Sequence, residues 1–235
     1  NATDRREDVL MSYGFQFTNN SDVVTLDSEF ARLVVLDQGA YSPNAESGLR
    51  ANVNFSRVIT SQEPPLIFAK PSVISGQAAI TSVLIYGSPG NWTGFGIRTR
   101  SVNYAPPNGT WFVGAFAAQG VSQYGMQLFD GSGKLLFDSG NPCAVFTAAY
   151  QNWAYAFTQT LDVGVTNFFS SPKPINTVDY MLINNYSMNV VAGSNSGALV
   201  ASVWDFTNGT LYATMTSSAN SQTFYLPALF ARLVA

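Results

Sequence analysis

Five aspartates, Asp27, Asp138, Asp162, Asp179 and Asp205, are the side chains of this 235-residue chain best suited to chemistry. Paired carboxylates can protonate a glycosidic oxygen and activate a water or attack the sugar carbon, so a glycan depolymerase is the enzyme class to weigh. The chain has no histidine, which removes the commonest general base, the commonest metal ligand and any Ser-His-Asp triad. Its single cysteine, Cys143, has no second thiol for an intrachain disulfide or a thiolate zinc site. With no histidine to activate it, Cys143 reads as a small buried apolar residue. Asp130–Gly131–Ser132–Gly133 resembles part of a calcium loop, but Asn141 stands where a bidentate glutamate is required, and a hairpin turn is the better reading. Asp27 and Asp138 are each followed by serine, Ser28 and Ser139, a pairing that suits local backbone capping. The expectation is a protein that is not an enzyme and uses no metal or cofactor.

A binding role draws on other residues. Trp92, Tyr104 and Trp111 lie near Gly- and Pro-rich loops, where exposed aromatic faces can stack on sugars, and Arg98 and Arg100 can meet acidic groups. The competing reading of each aromatic is core or interface packing. No Asp or Glu occurs between Glu63 and Asp130, whereas Lys70, Arg98 and Arg100 do, so this stretch is locally cationic, either as an anion site or as solvated bases on a neutral interface. The net charge of −3 gives no general drive toward nucleic acid. Charged residues make up only 11% of the chain and aromatics 14%, so the surface must be covered by Asn, Ser, Thr, Gln and Gly. Such a surface suits burial against other subunits or contact with sugars. Asn-X-Ser/Thr matches, such as those at Asn54, Asn91, Asn108, Asn185 and Asn208, follow from composition alone. No run of eighteen apolar residues occurs, so membrane insertion by a helix is not expected.

The elements that must position these residues read as strands. Residues 13–28, YGFQFTNNSDVVTLDS, recur as residues 124–139, YGMQLFDGSGKLLFDS, without a gap and 111 positions apart. Tyr13, Gly14, Gln16, Ser21, Asp27 and Ser28 match Tyr124, Gly125, Gln127, Ser132, Asp138 and Ser139. Alternation of Tyr13, Phe15 and Phe17 with smaller or polar residues, followed by Asn19–Asn20–Ser21–Asp22, predicts a hairpin in each copy. Gly14 and Gly125 inside strands suggest a bulge or a close approach of another backbone. A weaker echo links Asn108–Gly109–Thr110–Trp111–Phe112 with Asn208–Gly209–Thr210–Leu211–Tyr212. Further strands are predicted over 30–36, 53–60, 66–69, 79–86, 92–100, 111–116, 143–150, 153–160, 178–184, 187–192, 198–206, 210–216 and 223–234, with 37–50 turn-rich. Helical turns are expected only at 153–157 and 226–234. Many short strands between Gly, Pro and Asn turns mean an all-β protein. The repeat predicts two related antiparallel β-sandwich or barrel-like domains, 13–120 and 121–235, after an N-terminal arm or leader over 1–12, with Met11 as a natural start.

The segment YGMQLFDGSGKLLFDS resembles a hairpin, YGLQ-x-F-N-x-x-G-x-x-x-FDS, of small tail-tip or baseplate virion proteins of tailed bacteriophages, in siphophages of Gram-negative hosts. Members often carry a second copy near the start, with a Pro-Leu-Ile/Val-Phe element between. Pro65–Leu66–Ile67–Phe68 and the 111–116 strand stand where that family places them. The resemblance covers roughly residues 11–146. It implies a structural tail component, assembled in the host cytoplasm and located in the virion. Other tail or baseplate proteins would be its partners. It would be a homo-oligomer, with a trimer favoured, and could contact a host surface glycan or pilus. The alternative is a glycan- or receptor-binding β-sandwich module without a mainly structural role.

Overall fold

The structure, a computed structural model, describes residues 16–18, 24–27, 33–99, 103–116, 123–133, 135–186, 189–191, 197–216 and 223–233. The fold is all-β: among the described residues every strand pairs antiparallel and the helical element is a short 3-10 turn at Glu46–Gly48. In chain order the strands are β1 (Gln16–Thr18), β2 (Val24–Asp27), β3 (Val34–Tyr41), β4 (Arg50–Ile59), β5 (Leu66–Pro71) and β6 (Gln77–Ile80). Then come β7 (Ser82–Ser88), β8 (Asn91–Arg98), β9 (Gly109–Ala115), β10 (Gln127–Phe129), β11 (Leu135–Asp138) and β12 (Ala144–Leu161). The last are β13 (Gly164–Pro174), β14 (Tyr180–Leu182), β15 (Asn189–Val191), β16 (Gly197–Asp205), β17 (Thr210–Thr216) and β18 (Thr223–Leu233).

The chain divides into two compact units, one of residues Asn1–Arg32 with Phe116–Asn141, the other of Leu33–Ala115 with Pro142–Ala235. This differs from the expected cut into 13–120 and 121–235. The physical reason is strand pairing across that cut. β5 pairs with β14, and β6 pairs with β16, so the two sequence halves share one sheet.

The smaller unit holds both repeated hairpins. β1 pairs with β2 through Gln16↔Asp27, Phe17↔Leu26 and Thr18↔Val24, with a bulge after Phe17. β10 pairs with β11 through Gln127↔Asp138, Leu128↔Phe137 and Phe129↔Leu135, with a bulge after Leu128. Register and bulge are the same in both copies. The recurring Gln and Asp sit opposite each other each time. In the second copy the pair is bonded: Gln127 Nε2 donates to Asp138 Oδ2 at 2.8 Å. Asp138 is fully buried, and its Oδ1 accepts from the Gly140 N–H at 2.8 Å. Ser139 Oγ accepts from the Met126 N–H, and the Ser139 N–H donates to the Met126 carbonyl. At the tip, Asp130 Oδ1 accepts from both the N–H and the hydroxyl of Ser132, an Asx turn.

In the larger unit, strands run in the order β15-β16-β17-β13-β12-β18-β14-β5-β9-β3, with β6 also on β16. The far end of this path returns to its middle. The Val35 N–H donates to the Pro142 carbonyl at 2.8 Å and the Ala144 N–H to the Leu33 carbonyl at 3.0 Å, with Val34 bridging Cys143. Strands β3, β9, β5, β14, β18 and the start of β12 therefore form a closed ring of paired strands. Side chains fill it, as in any small barrel. Leu33, Val35, Phe68, Phe112, Ala144 and Ala231 make one buried cluster. Phe68 and Phe112 stack at 4.7 Å, and Tyr180 meets Phe112 edge-on at 5.1 Å.

A second sheet, β4-β8-β7, packs on the larger one in sandwich fashion. Ala51, Val53 and Phe55 of β4 are buried and alternate with exposed Asn52, Asn54 and Ser56. Phe55 and Phe95 reach across to Trp111 at 5.9 and 5.2 Å between ring centroids. Each fully buried large side chain of this kind contributes about 1.5–3 kcal/mol. Gly94 is required where β8 meets β4, because a Cβ there would lie 2.1 Å from the Val53 carbonyl oxygen.

Several elements depart from the sequence reading. The strand expected over 79–86 breaks at Thr81, so β6 joins the large sheet and β7 the small one. Thr81 is held at the break by its N–H and hydroxyl, both bonded to the Arg98 carbonyl at 2.9 Å. The strands expected over 143–150 and 153–160 are one, β12, and the stretch 153–157 is extended rather than helical. The stretch 226–233 is likewise strand, not helix: the register of β18 shifts between Tyr225 and Ala228, and this bulge accommodates Pro227. β3 runs on to Tyr41, into the stretch expected to be turn-rich. β13 was not expected at all. It is buried on both faces, with Phe168 in one cluster and Phe169 in another, which erases the alternation that marks a half-buried strand.

Candidate functional site

The aromatics named for sugar stacking are interior. Trp92 and Trp111 are 7% and 4% exposed, in the same sandwich core. Their indole N–H groups donate to the Ser61 carbonyl at 2.9 Å and the Ala40 carbonyl at 3.3 Å. Tyr104 is buried elsewhere, against Ala79, Phe168 and Val203. It lines a hollow of about 190 Å³ with Thr81, Leu161, Thr166, Thr214 and Thr216. Burial, assisted by the nearby charge of Asp162, pushes its phenol up to about 12. Arg98 is ion-paired with Glu46, which also holds Arg50 at 2.7 Å. The Glu46–Ser47 turn that presents this carboxylate has φ near +50° at both residues, a conformation that non-glycine residues seldom adopt. Lys70 sits 4.7 Å over the Tyr180 ring, so its charge is spent on a cation–π contact. Arg100, Tyr13, Gly14 and Ser28 lie outside the described residues. The four described residues named for ligand binding, Trp92, Arg98, Tyr104 and Trp111, thus do not form one exposed surface, because the apolar rings are worth more inside the core than on it.

Three of the candidate carboxylates, Asp138, Asp179 and Asp205, are each held by their own hydrogen-bond partners. Asp138 belongs to the smaller unit. Asp179 Oδ1 accepts from Arg232 Nε at 2.9 Å and Nη2 at 2.7 Å, and its Oδ2 from Asn176 Nδ2 at 2.8 Å. Asp205 Oδ2 accepts from Gln77 Nε2 and Asn208 Nδ2, both at 2.9 Å, and Oδ1 from the Asn208 N–H at 3.0 Å. Burial alone would raise the Asp205 pKa, but these bonds outweigh it and hold the carboxyl below its ordinary range. Asp205 is thus an ionised anchor for the β16–β17 turn rather than a proton donor. Among the described residues no group of His, Cys, Asp and Glu could hold a metal ion.

The larger unit does contain an open cleft, of about 470 Å³. Its floor is Tyr150 of β12, Phe230 of β18, and Trp204 and Leu211 of β16 and β17. Its wall is the segment from Lys173 to Thr177, with Asp179 behind it. Tyr150 stacks on Phe230 at 5.3 Å and meets Trp153 edge-on at 5.4 Å. Burial pushes the Tyr150 phenol up to about 12, with a hydrogen bond to Ser171 partly offsetting it. The cleft arises from the sheet's own topology. One edge of β12 bridges β3 at Cys143 and pairs with β13 only from Ala154 onward. Between those points the sheet forks. β13 peels away through a register break between Ser170 and Pro174, and β12 is bulged between Phe146 and Ala148. Bulges of this kind re-aim side chains beside sites.

Of the cleft's residues only Asp179 was singled out from sequence. The Ser-Ser-Pro-Lys-Pro run at 170–174 marks a break in the chain, but nothing in it says that the break opens beside an aromatic floor 20 to 60 residues away in sequence, at Tyr150 and Phe230. Large apolar side chains are also exposed along β12 and beside it: Val145, Phe146, Tyr155 and Phe157, with Val163 and Val165 at the following turn and Tyr225 on β18. No helix among the described residues is long and apolar enough to cross a membrane. Comparisons of the chain with family models, with curated proteins and with solved structures return no match.

Proposed function

We propose that this chain is a structural component of a bacteriophage tail tip or baseplate, without enzymatic activity, that also contributes to host-surface attachment. The observation that carries the reading is the apolar side chains left in water along β12 and its neighbour β18, with Val145 and Phe146 of β12 near half exposed and Tyr225 of β18 at 68%. A free-standing monomer seldom leaves so many large apolar groups exposed along neighbouring strands, whereas a subunit covers them on assembly. The paired hairpins that resemble tail-tip proteins, and a surface with little charge, support the same reading. So do Asp138, Asp179 and Asp205, whose carboxylates are occupied by structural bonds. The proposed assembly is a homo-oligomer, a trimer, held in the virion with other tail proteins.

Light scattering coupled to size exclusion on the purified chain tests the oligomer, and immunogold labelling of virions tests the location. A monomer at micromolar concentration with no affinity for tail components would overturn the reading. The second reading, a glycan- or receptor-binding module, is favoured specifically by the aromatic-floored cleft at Tyr150, Trp204 and Phe230. Its volume falls within the range of about 300–1,000 Å³ common for small-ligand sites.

A further inference from the structure

We propose that the cleft at the fork of the large sheet binds a saccharide ring carrying a carboxylate. The inference rests on the attachment part of the reading above and not on assembly. It begins with shape. From the Cys143 bridge to Ala154, β12 has β18 on one edge and, among the described residues, no strand on the other, so the fork leaves a gap beside its backbone. The gap is floored by rings and by Leu211, which suits the apolar C–H face of a pyranose. Its rim carries the hydroxyl side chains of Thr147, at the β12 bulge, and Thr177, both exposed. An apolar floor under a hydroxyl rim matches a ring with one apolar face and polar edges better than it matches a fatty chain.

Charge then selects among sugars. The carboxylate of Asp179 is already neutralised by Arg232 and bonded by Asn176, so it neither repels an anion nor has a lone pair aimed into the cleft without a partner. The Asn176 amide is used as well, with Nδ2 on Asp179 and Oδ1 accepting from the Val178 N–H. What is left is Lys173, exposed on the wall, whose ammonium has no ion-pair partner among the described residues. The cleft therefore presents a positive charge beside an apolar floor. A carboxylated sugar satisfies both, its ring on Tyr150 and Phe230 and its acid on Lys173.

The test uses the whole purified chain and three probes: a glucuronate-containing disaccharide, its neutral glucose counterpart, and acetate. Binding is read by saturation-transfer NMR and calorimetry at low and high salt. The acidic disaccharide is expected to bind saturably. The neutral sugar should bind about fivefold more weakly, the factor that one exposed ion pair gives. The difference should shrink as salt screens it. Lys173→Gln should reduce the acidic sugar to the neutral level, and Thr147→Trp, which fills the mouth, should abolish both without changing the circular dichroism or the melting temperature. No saturable binding of the acidic disaccharide overturns the proposal, as does an unaltered affinity in Lys173→Gln or acetate binding as well as the sugar. A chain that is monomeric yet binds the acidic sugar would overturn the assembly reading and leave this site standing.

Discussion

Replacing Phe112 by alanine tests the closed ring most directly. Phe112 is fully buried, stacked on Phe68 at 4.7 Å and edge-packed by Tyr180 at 5.1 Å. Deleting a fully buried phenyl ring removes its transfer energy and leaves a cavity that the surrounding strands fill only in part, a loss of about 3–5 kcal/mol. Phe146 supplies the contrast. It touches the same cluster, 6.4 Å from Phe68, but is 46% exposed, so Phe146→Ala should cost under about 1 kcal/mol. Urea titration followed by tryptophan fluorescence reads both, since Trp92, Trp111, Trp153 and Trp204 are all buried in the larger unit. With a slope typical of this size, the Phe112→Ala midpoint should fall by about 1–2 M, and the Phe146→Ala midpoint by a few tenths. A Phe112→Ala loss below about 1 kcal/mol, or equal losses for the two variants, would refute the ring as a packed core. It would mean that β3 and β12 are not joined there.

The same pairing predicts that residues 13–120 and 121–235, expressed separately, each fail to give a cooperative melt, while co-expression restores one; two independently folded halves would contradict the shared sheet. Asp205→Asn should cost about 1.5–3 kcal/mol at pH 7, because hydrogen bonds to a charged acceptor are weakened. The Asp205 pKa is lower in the folded chain than in the unfolded one, so its contribution is complete above the ordinary carboxylate range of about 4 and fades as pH falls through the depressed value. Melts of wild type and Asp205→Asn should therefore converge toward pH 2, and a gap that stays constant with pH would exclude the ionised anchor. Val145→Lys should leave the melt of the isolated subunit within about 0.5 kcal/mol, since Val145 is 47% exposed, but shift light scattering toward monomer. An unchanged oligomer would move the interface off β12.

The all-β class and most strand positions were legible because turns announce themselves: Asn108–Gly109 leads into β9 and Asn208–Gly209 into β17. The hairpin repeat was legible too, down to residues that share a register, but what it meant for the architecture was not. Similarity at a spacing of 111 residues suggests tandem domains. Here both copies fall in one small unit, and the intervening and following segments are interleaved in the other. The long-range pairings responsible, such as Met181↔Ala69 and Ser202↔Ile80, join short apolar stretches that have no distinctive partner code, so many pairings look equally good in sequence.

The candidate site was illegible for a related reason. Sequence favours conspicuous residues, and Trp92 and Trp111 are conspicuous, yet a large ring gains most by burial when its N–H can reach a carbonyl, as both do. The cleft instead depends on two irregularities, the bulge at Thr147 and the register break after Ser170, that matter only because β12 and β13 are neighbours. Neither Lys173 nor Tyr150 is unusual on its own. Their value comes from a fork in the sheet, which is a property of pairing and not of any segment. A binding site in an all-β chain of this kind is therefore better sought where strands part than where aromatics cluster in the sequence.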